Sequence, residues 1–472
     1  MEHSDIFKIR SLHQYDIALE RAETSAGAPQ ALAPAEKTAR DRSRTWPVTL
    51  CLLTPIACAV IRKLTPDQPA SVETAGAFVI IAVLIWCLMH SRAAIPRSLS
   101  RPLGILVFVH VVFLVIGLFQ DWRIAGTALF TRLAPMAMIV VCAACVRSVD
   151  DLRRAFRPVI LIMLLQLPFA LQMILTGNTS LPPVLQAIEQ LADKGLDQRM
   201  SVYAFSGLFS TPAIFSTSAT AVLFLIMALG TTRRKRWEHI FLALASLGLL
   251  LMIYLTVRRG MFFLACAGLI FYSLAFARGY LRIGVVLLFA LAALYTNRWI
   301  DSSGLLTGTD VEMRSDTVTT DLQLDTRIGG VFVPIVSYWM EEQPLGTFLG
   351  NGGAEAYAFG VVRDFPVEVL AAVWVLEFGI AGAVICSCAM VIFLWRTYKL
   401  SLKTLEPSMA RILALFCFGF FGLSFFKEAS AFSQVFLGNL IFWSVPGIVA
   451  GISQSAGKRY LRAQMKPYPV AS

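Results

Sequence analysis

Runs of about twenty apolar residues recur between positions 47 and 453 of this 472-residue chain, and they restrict it to one kind of fold. A hydrocarbon layer about 30 Å thick takes roughly 20 residues of α-helix to cross. Inside it the backbone must satisfy its own hydrogen bonds, which only helices and closed barrels do. Barrel strands would alternate apolar and polar residues over about ten positions; these runs are continuous. Composition agrees, since 57% of residues are hydrophobic and only 15% charged, against about 25% charged in soluble domains. The sequence predicts an all-α, polytopic integral membrane protein with about 12 transmembrane helices.

The expected spans lie at 47–62, 73–91, 103–119, 126–146, 158–176, 207–230, 239–257, 261–277, 283–297, 367–395, 411–426 and 434–453. Residues 1–46 are polar and mixed in charge and read as a disordered cytoplasmic tail, with no apolar signal-peptide core near Met1. Residues 454–472 form a second cytoplasmic tail. With the N-terminus inside, the inner segments are the two tails, 92–102, 147–157, 231–238, 278–282 and 396–410. They hold most of the 41 lysines and arginines, as the positive-inside rule requires. The net charge of +11 is therefore a topology signal, and no nucleic-acid partner is expected. This distribution predicts a multi-pass inner-membrane protein with both termini cytoplasmic.

All nine cysteines fall within apolar runs and read as small buried hydrophobes, not as a disulfide framework or thiolate metal site. Asp150 and Asp151 read as a solvated turn on the inner side. No metal site and no cofactor are expected.

After spans 1–9 (residues 47–297), the segment 298–366 is a large periplasmic loop, too long to be a simple connector. Within it Ile328, Val331, Phe332, Ile335, Val336, Trp339 and Met340 recur at helical spacing, an amphipathic helix. Pro334 places its kink or its start. Spans 10–12 (residues 367–453) follow.

Arg258 and Arg259, in Tyr254-Leu-Thr-Val-Arg-Arg-Gly260, break the charge rule at the outer end of a span. They read either as side chains snorkelling to headgroups or as an anion site whose guanidinium forks suit a diphosphate. Arg327 opens the amphipathic stretch and is either a partner of Asp325 or a second anion contact. Gly346, Gly350, Gly352 and Gly353 make turns or let backbone approach a ligand. Glu368 lies at the outer mouth of the tenth span, with Glu377 about 2.5 turns deeper. It reads either as an interfacial carboxylate paired with arginine or as a general base.

The order of these features resembles the O-antigen ligase and polysaccharide polymerase (Wzy-type) superfamily, over about residues 199–380. The resemblance rests on Arg199 before Gly207-Leu-Phe-Ser-Thr-Pro212, and on Arg259-Gly260. It continues through Arg327, Trp339, Pro344, Gly346, Gly350 and Gly352, and ends on Glu368 through Glu377-Phe-Gly379. Two departures matter. Family ligases usually present a histidine where Glu368 aligns, and none of the five histidines lies in the outer loops. Arg258 also stands where a serine is more usual. Both point to a polymerase.

The resemblance implies a membrane-embedded, inverting, metal-independent glycosyltransferase. It would polymerise polyprenyl-diphosphate-linked oligosaccharide repeat units at the periplasmic face. Glu368, Arg259 and Arg327 would be catalytic; Arg258, Arg199, Glu377 and Gly352 would bind substrate. Its partners would be the lipid-linked oligosaccharide, the bilayer, and chain-length regulator and flippase proteins. Two alternatives stay open: a ligase transferring finished glycan to an acceptor, and a transporter or flippase of a lipid-linked or anionic solute. Helices broken within the membrane would favour transport, with Pro135 and Pro168 as candidate break points; the absence of a half-to-half repeat speaks against it.

Overall fold

The apolar runs form helices. A computed structural model describes residues 34–64, 69–91, 95–120, 122–176, 206–209, 212–232, 236–256, 259–276, 349, 369–426 and 435–464. Among them there are helices and no strand. In chain order these are α1 (Pro34–Leu64), α2 (Pro69–His90), α3 (Arg97–Gln120), α4 (Trp122–Cys145), α5 (Val149–Leu164) and α6 (Leu167–Thr176). Then come α7 (Pro212–Gly230), α8 (Arg236–Leu255), α9 (Arg259–Phe276), α10 (Leu370–Thr404), α11 (Pro407–Phe426) and α12 (Leu437–Gln464). Residues 1–44 and 45–472 form two compact units. Of the first, Pro34–Arg44 is described, and it is helical. Its Ala, Glu, Lys and Arg are strong helix formers, which is why α1 starts well before the expected boundary at 47.

Seven described helical stretches are long and apolar enough to cross a membrane, and four shorter apolar helices accompany them. The seven include Val149–Leu171, which spans α5, a two-residue turn and the start of α6. The expected ninth span (283–297), the amphipathic stretch and nearly all of the large loop lie outside the described residues. Large apolar side chains such as Phe108, Phe119 and Met89 face outward. Outward-facing apolar side chains of this kind suit contact with lipid.

α12 and α7 are the centre, with 89% of the apolar stretch Leu437–Ala456 and 94% of Ala213–Gly230 buried inside the bundle. α12 packs on α4, α7, α10 and α11; α4 in turn packs on α2 and α3. The α12–α4 contact is unusually close because Gly447 and Gly451 lie one turn apart on the same face. A Cβ on Gly451 would meet Val146 O at 2.1 Å, and one on Gly447 would meet Ile139 O at 2.4 Å. Without side chains there, the two backbones approach directly, the small-xxx-small arrangement of membrane helices.

One end of the bundle gathers the basic segments expected inside. Arg396 donates to Ser98 O at 3.0 Å, Arg147 to Gln454 Oε1 at 2.6 Å, and Arg153 to Thr232 Oγ1. Asp150–Asp151 differs from the expected solvated turn. Asp150 is exposed and pairs with Arg153 at 2.7 Å, whereas Asp151 is buried. Ser148 caps α5 by accepting the Asp151 N–H at 3.1 Å. The Asp151 carboxylate reaches back to the Arg147 N–H at 3.0 Å. This reciprocal cap satisfies helix-start donors that water would otherwise take. Six cysteines are buried and none of the nine forms a disulfide, but Cys388 is exposed on α10.

Candidate functional site

At about 1.5 Å per residue, Arg132 in α4, Glu377 in α10 and His110 in α3 lie about 10–15 Å from the ends of their helices. All three lie in the half of the bundle away from the basic segments. There Arg132 and Glu377 form a bidentate ion pair, Nη1 donating to Oε2 and Nη2 to Oε1. Glu377 is fully buried and Arg132 is 9% exposed. The planar fork of arginine matches both carboxylate oxygens, which is the strong geometry for such a pair. Ionisable groups at membrane depth are costly and usually mark function.

The surroundings are aromatic. The His110 Nδ1–H donates to Leu106 O at 2.8 Å, and the ring lies edge-on to Phe378 at 4.9 Å and Trp374 at 6.4 Å. Phe113 packs on Phe378 at 5.3 Å, and Trp374 meets Phe421 and Phe425 of α11. A small cavity is lined by His110, Arg132, Met136, Leu370, Trp374, Met390 and Trp443. It has room for about one water molecule, so neither a sugar nor a phosphate fits it.

Two residues past Glu377 the helix breaks. Gly379 has φ 69° and ψ 173°, a backbone region open to glycine alone. Gly382 accommodates the turn, since a Cβ there would lie 2.7 Å from Phe378 Cβ. α10 is therefore two helices end to end, divided within an apolar span.

A second break lies between α5 and α6. Leu165 and Gln166 interrupt the span, and Pro168 falls in the first turn of α6, where its missing N–H costs nothing. The buried Gln166 side chain accepts the Leu208 N–H at 2.8 Å. Gly207, at φ 55°, is glycine for two reasons: its backbone is left-handed, and a Cβ would fall 2.1 Å from Gln166 Oε1. The residues of the Gly207-to-Pro212 motif thus have structural tasks: Gly207 docks on Gln166, and Pro212 opens α7.

Of the residues singled out by sequence, the structure places Glu377 within the ion pair, its carboxylate held by protein. The backbone of Arg259 opens α9 directly after the short connection from α8, where a tight turn is expected. α11 packs against both α9 and α10: Gly419 makes room for Leu264 of α9, and Phe421 and Phe425 meet Trp374 of α10. The starts of α9 and α10 thus flank the same end of α11. Arg199, Arg258, Arg327, Gly352 and Glu368 lie outside the described residues. Among the described residues, no group of three or more His, Cys, Asp or Glu could hold a metal ion.

Sequence reasoning missed Arg132, Gln166 and the Gly447/Gly451 pair. The signal for Arg132 was present: away from span ends, Arg132 and Glu377 are the only charged residues in the expected spans. Two lone opposite charges in apolar surroundings must find each other or be neutralised.

The fold and the buried polar centre define an all-helical, membrane-embedded protein. No family model matches the chain, and no curated protein matches it.

Proposed function

We propose that the protein is a glycosyltransferase of the bacterial inner membrane, with twelve spans and cytoplasmic termini, that polymerises polyprenyl-diphosphate-linked oligosaccharide repeat units at the periplasmic face. The supporting observation is the Glu377-Phe-Gly379 element. It is a buried charge beside a helix break, two costly features that a passive span would lack. An acceptor hydroxyl oxygen attacks the anomeric carbon of the diphosphate-linked sugar from the opposite face. The bond to the diphosphate breaks with its electron pair leaving on that group, and the hydroxyl proton passes to Glu368. Arg258, Arg259, Arg327 and Arg199 offset the charge developing on the leaving diphosphate, the kind of electrostatic contribution that often dominates catalysis. The configuration at the anomeric centre inverts.

One observation favours the transport reading. The breaks at Gly379 and at Leu165–Gln166 make two discontinuous helices, the usual construction of transporter binding sites. The size distribution of lipid-linked and released glycan in cells lacking the protein separates the readings. Single outward-facing repeat units without a ladder are the expected result. A full ladder left on the carrier would mean a ligase, units trapped on the cytoplasmic face a flippase, and an unchanged profile would discard the glycan reading.

A further inference from the structure

We infer that the basic end of the α3–α10 pair is a docking site for the headgroup of an anionic phospholipid, whose acyl chains run along the apolar outer face of the two helices.

α3 starts and α10 ends on this side of the bundle, and the two helices pack along each other. Arg396 of α10 donates to Ser98 O of α3 at 3.0 Å, which holds the two ends together. On α3 the exposed Arg97 and Arg101 stand one turn apart on one face. On α10 the exposed Lys399 and Lys403 follow the half-buried Arg396 at intervals of three and four residues, again on one face.

The protein leaves these five charges unanswered. No acidic residue occurs in 75–120 or in 378–405, and Glu406, just past α10, is the nearest acid along the chain. Among the described residues, none of the five forms an ion pair. Elsewhere at this end Arg153 pairs with Asp150 and Arg147 is tied to Gln454. Like charges one turn apart repel, because they stand within the screening length of about 8 Å in physiological salt. A phosphate between them removes that repulsion, with arginine forks binding its oxygens in pairs.

The adjoining surface favours lipid over a soluble acidic partner. Val384, Ile385, Val391, Ile392 and Trp395 form the exposed side of α10. That stripe leads to Lys399, whose Nζ lies over the Trp395 ring at 5.1 Å; tryptophan is common at headgroup level. On α3 the exposed Gly104 follows Arg101 by one turn, and a Cβ there would meet nothing within 4 Å, so an acyl chain can pass beneath the arginine. A soluble partner would use the cations and leave this stripe uncovered. Basic clusters between helices at the membrane surface take phospholipid headgroups in this way. Five positive charges exceed one phosphodiester, so a lipid with two phosphates should bind more tightly than a lipid with one. None of this depends on the proposed glycosyl transfer.

The test titrates the full chain, purified in a non-ionic detergent, with diphosphatidylglycerol, phosphatidylglycerol, phosphatidylcholine or inorganic phosphate. The readouts are the rise in unfolding midpoint, which follows binding to the folded state, and the lipid retained in native mass spectra. Diphosphatidylglycerol should protect at the lowest concentration and phosphatidylglycerol next, with little effect of the other two. Arg101→Gln with Lys399→Gln should raise the concentration needed at least tenfold, and Arg101→Lys with Lys399→Arg should hold it within threefold of the parent. Arg154→Gln with Arg157→Gln removes the same charge from α5, which packs on α7 and α8, and should change it less than threefold. Without lipid, the Arg101/Lys399 glutamine variant should unfold no earlier than the parent, since repulsion is relieved. Equal loss in the two glutamine pairs, or no loss in either, would overturn the inference. So would equal protection by phosphatidylcholine, which would mark a plain lipid contact, or protection by inorganic phosphate alone, which would mark a soluble-anion site.

Discussion

Replacing Glu377 by leucine while leaving Arg132 in place would strand a guanidinium that is 9% exposed beside the cavity it lines with His110 and Trp374. Breaking a buried pair in this way costs about 3–5 kcal/mol, because the remaining charge stays desolvated without its counter-ion. Arg132→Met strands a fully buried carboxylate and should cost at least as much. The double variant strands neither. Apolar replacements of similar volume for a buried pair are often neutral or stabilising, so it should lie within about 1 kcal/mol of the parent. Simple addition of the singles would predict a loss of roughly 6–10 kcal/mol. The gap between that sum and the double variant is the coupling between the two side chains. Denaturant-induced unfolding of the four proteins in one detergent, followed by tryptophan emission, measures it. A double variant as unstable as the sum of its singles would show that the two side chains do not act as a pair, which would refute the ion pair as the organising contact of this site.

The remaining predictions address separate links. Gly451→Leu puts a side chain where a Cβ already lies 2.1 Å from Val146 O; it should force α12 from α4 and cost about 1–3 kcal/mol or more in the same unfolding assay. Gly422→Leu, where a Cβ meets nothing within 4 Å, should cost far less. Gly207→Ala combines a left-handed backbone with a clash on Gln166 and should destabilise by more than about 1 kcal/mol; Gln166→Ala in the same chain should recover part of the loss, and no recovery would exclude the clash. Glu368→Gln, in protein that reaches the membrane at parental levels, should leave lipid-linked single units and abolish the glycan ladder; an unchanged ladder would remove Glu368 from the proposed mechanism.

Much of this architecture was legible without coordinates, because lipid leaves the backbone few choices. Long apolar runs had to become helices, and described helices cover every expected span but the ninth, which lies outside the described residues; most boundaries agree within a few residues, but α1 and α5 begin well before, and α10 and α12 end well after, the expected positions. Charge placement was informative for the same reason. Arginine and lysine are expensive to carry through the bilayer, so the segments expected to share one side do meet at one end, through Arg396–Ser98, Arg147–Gln454 and Arg153–Thr232. α1 begins earlier than hydropathy suggested because its polar first turns are held by helix propensity, which hydropathy does not record.

The sequence by itself determined the class of fold, the ends of most helices and the presence of two opposite charges in apolar surroundings. Only the tertiary structure decided that those charges meet. Arg132 and Glu377 are 245 positions apart, and no local rule of spacing connects two helices that are neighbours only after the bundle has packed. The same holds for the glycines. Gly447 and Gly451 read as ordinary span residues until the backbone of α4 is seen to occupy the space of their missing side chains. Gly379 is one glycine among 31 until its dihedral angles show a broken helix. Apolar burial is non-directional and roughly proportional to area, so it can be read along a line of sequence. Ion pairs, backbone contacts and hinges depend on distances between segments, which exist only once the chain has folded.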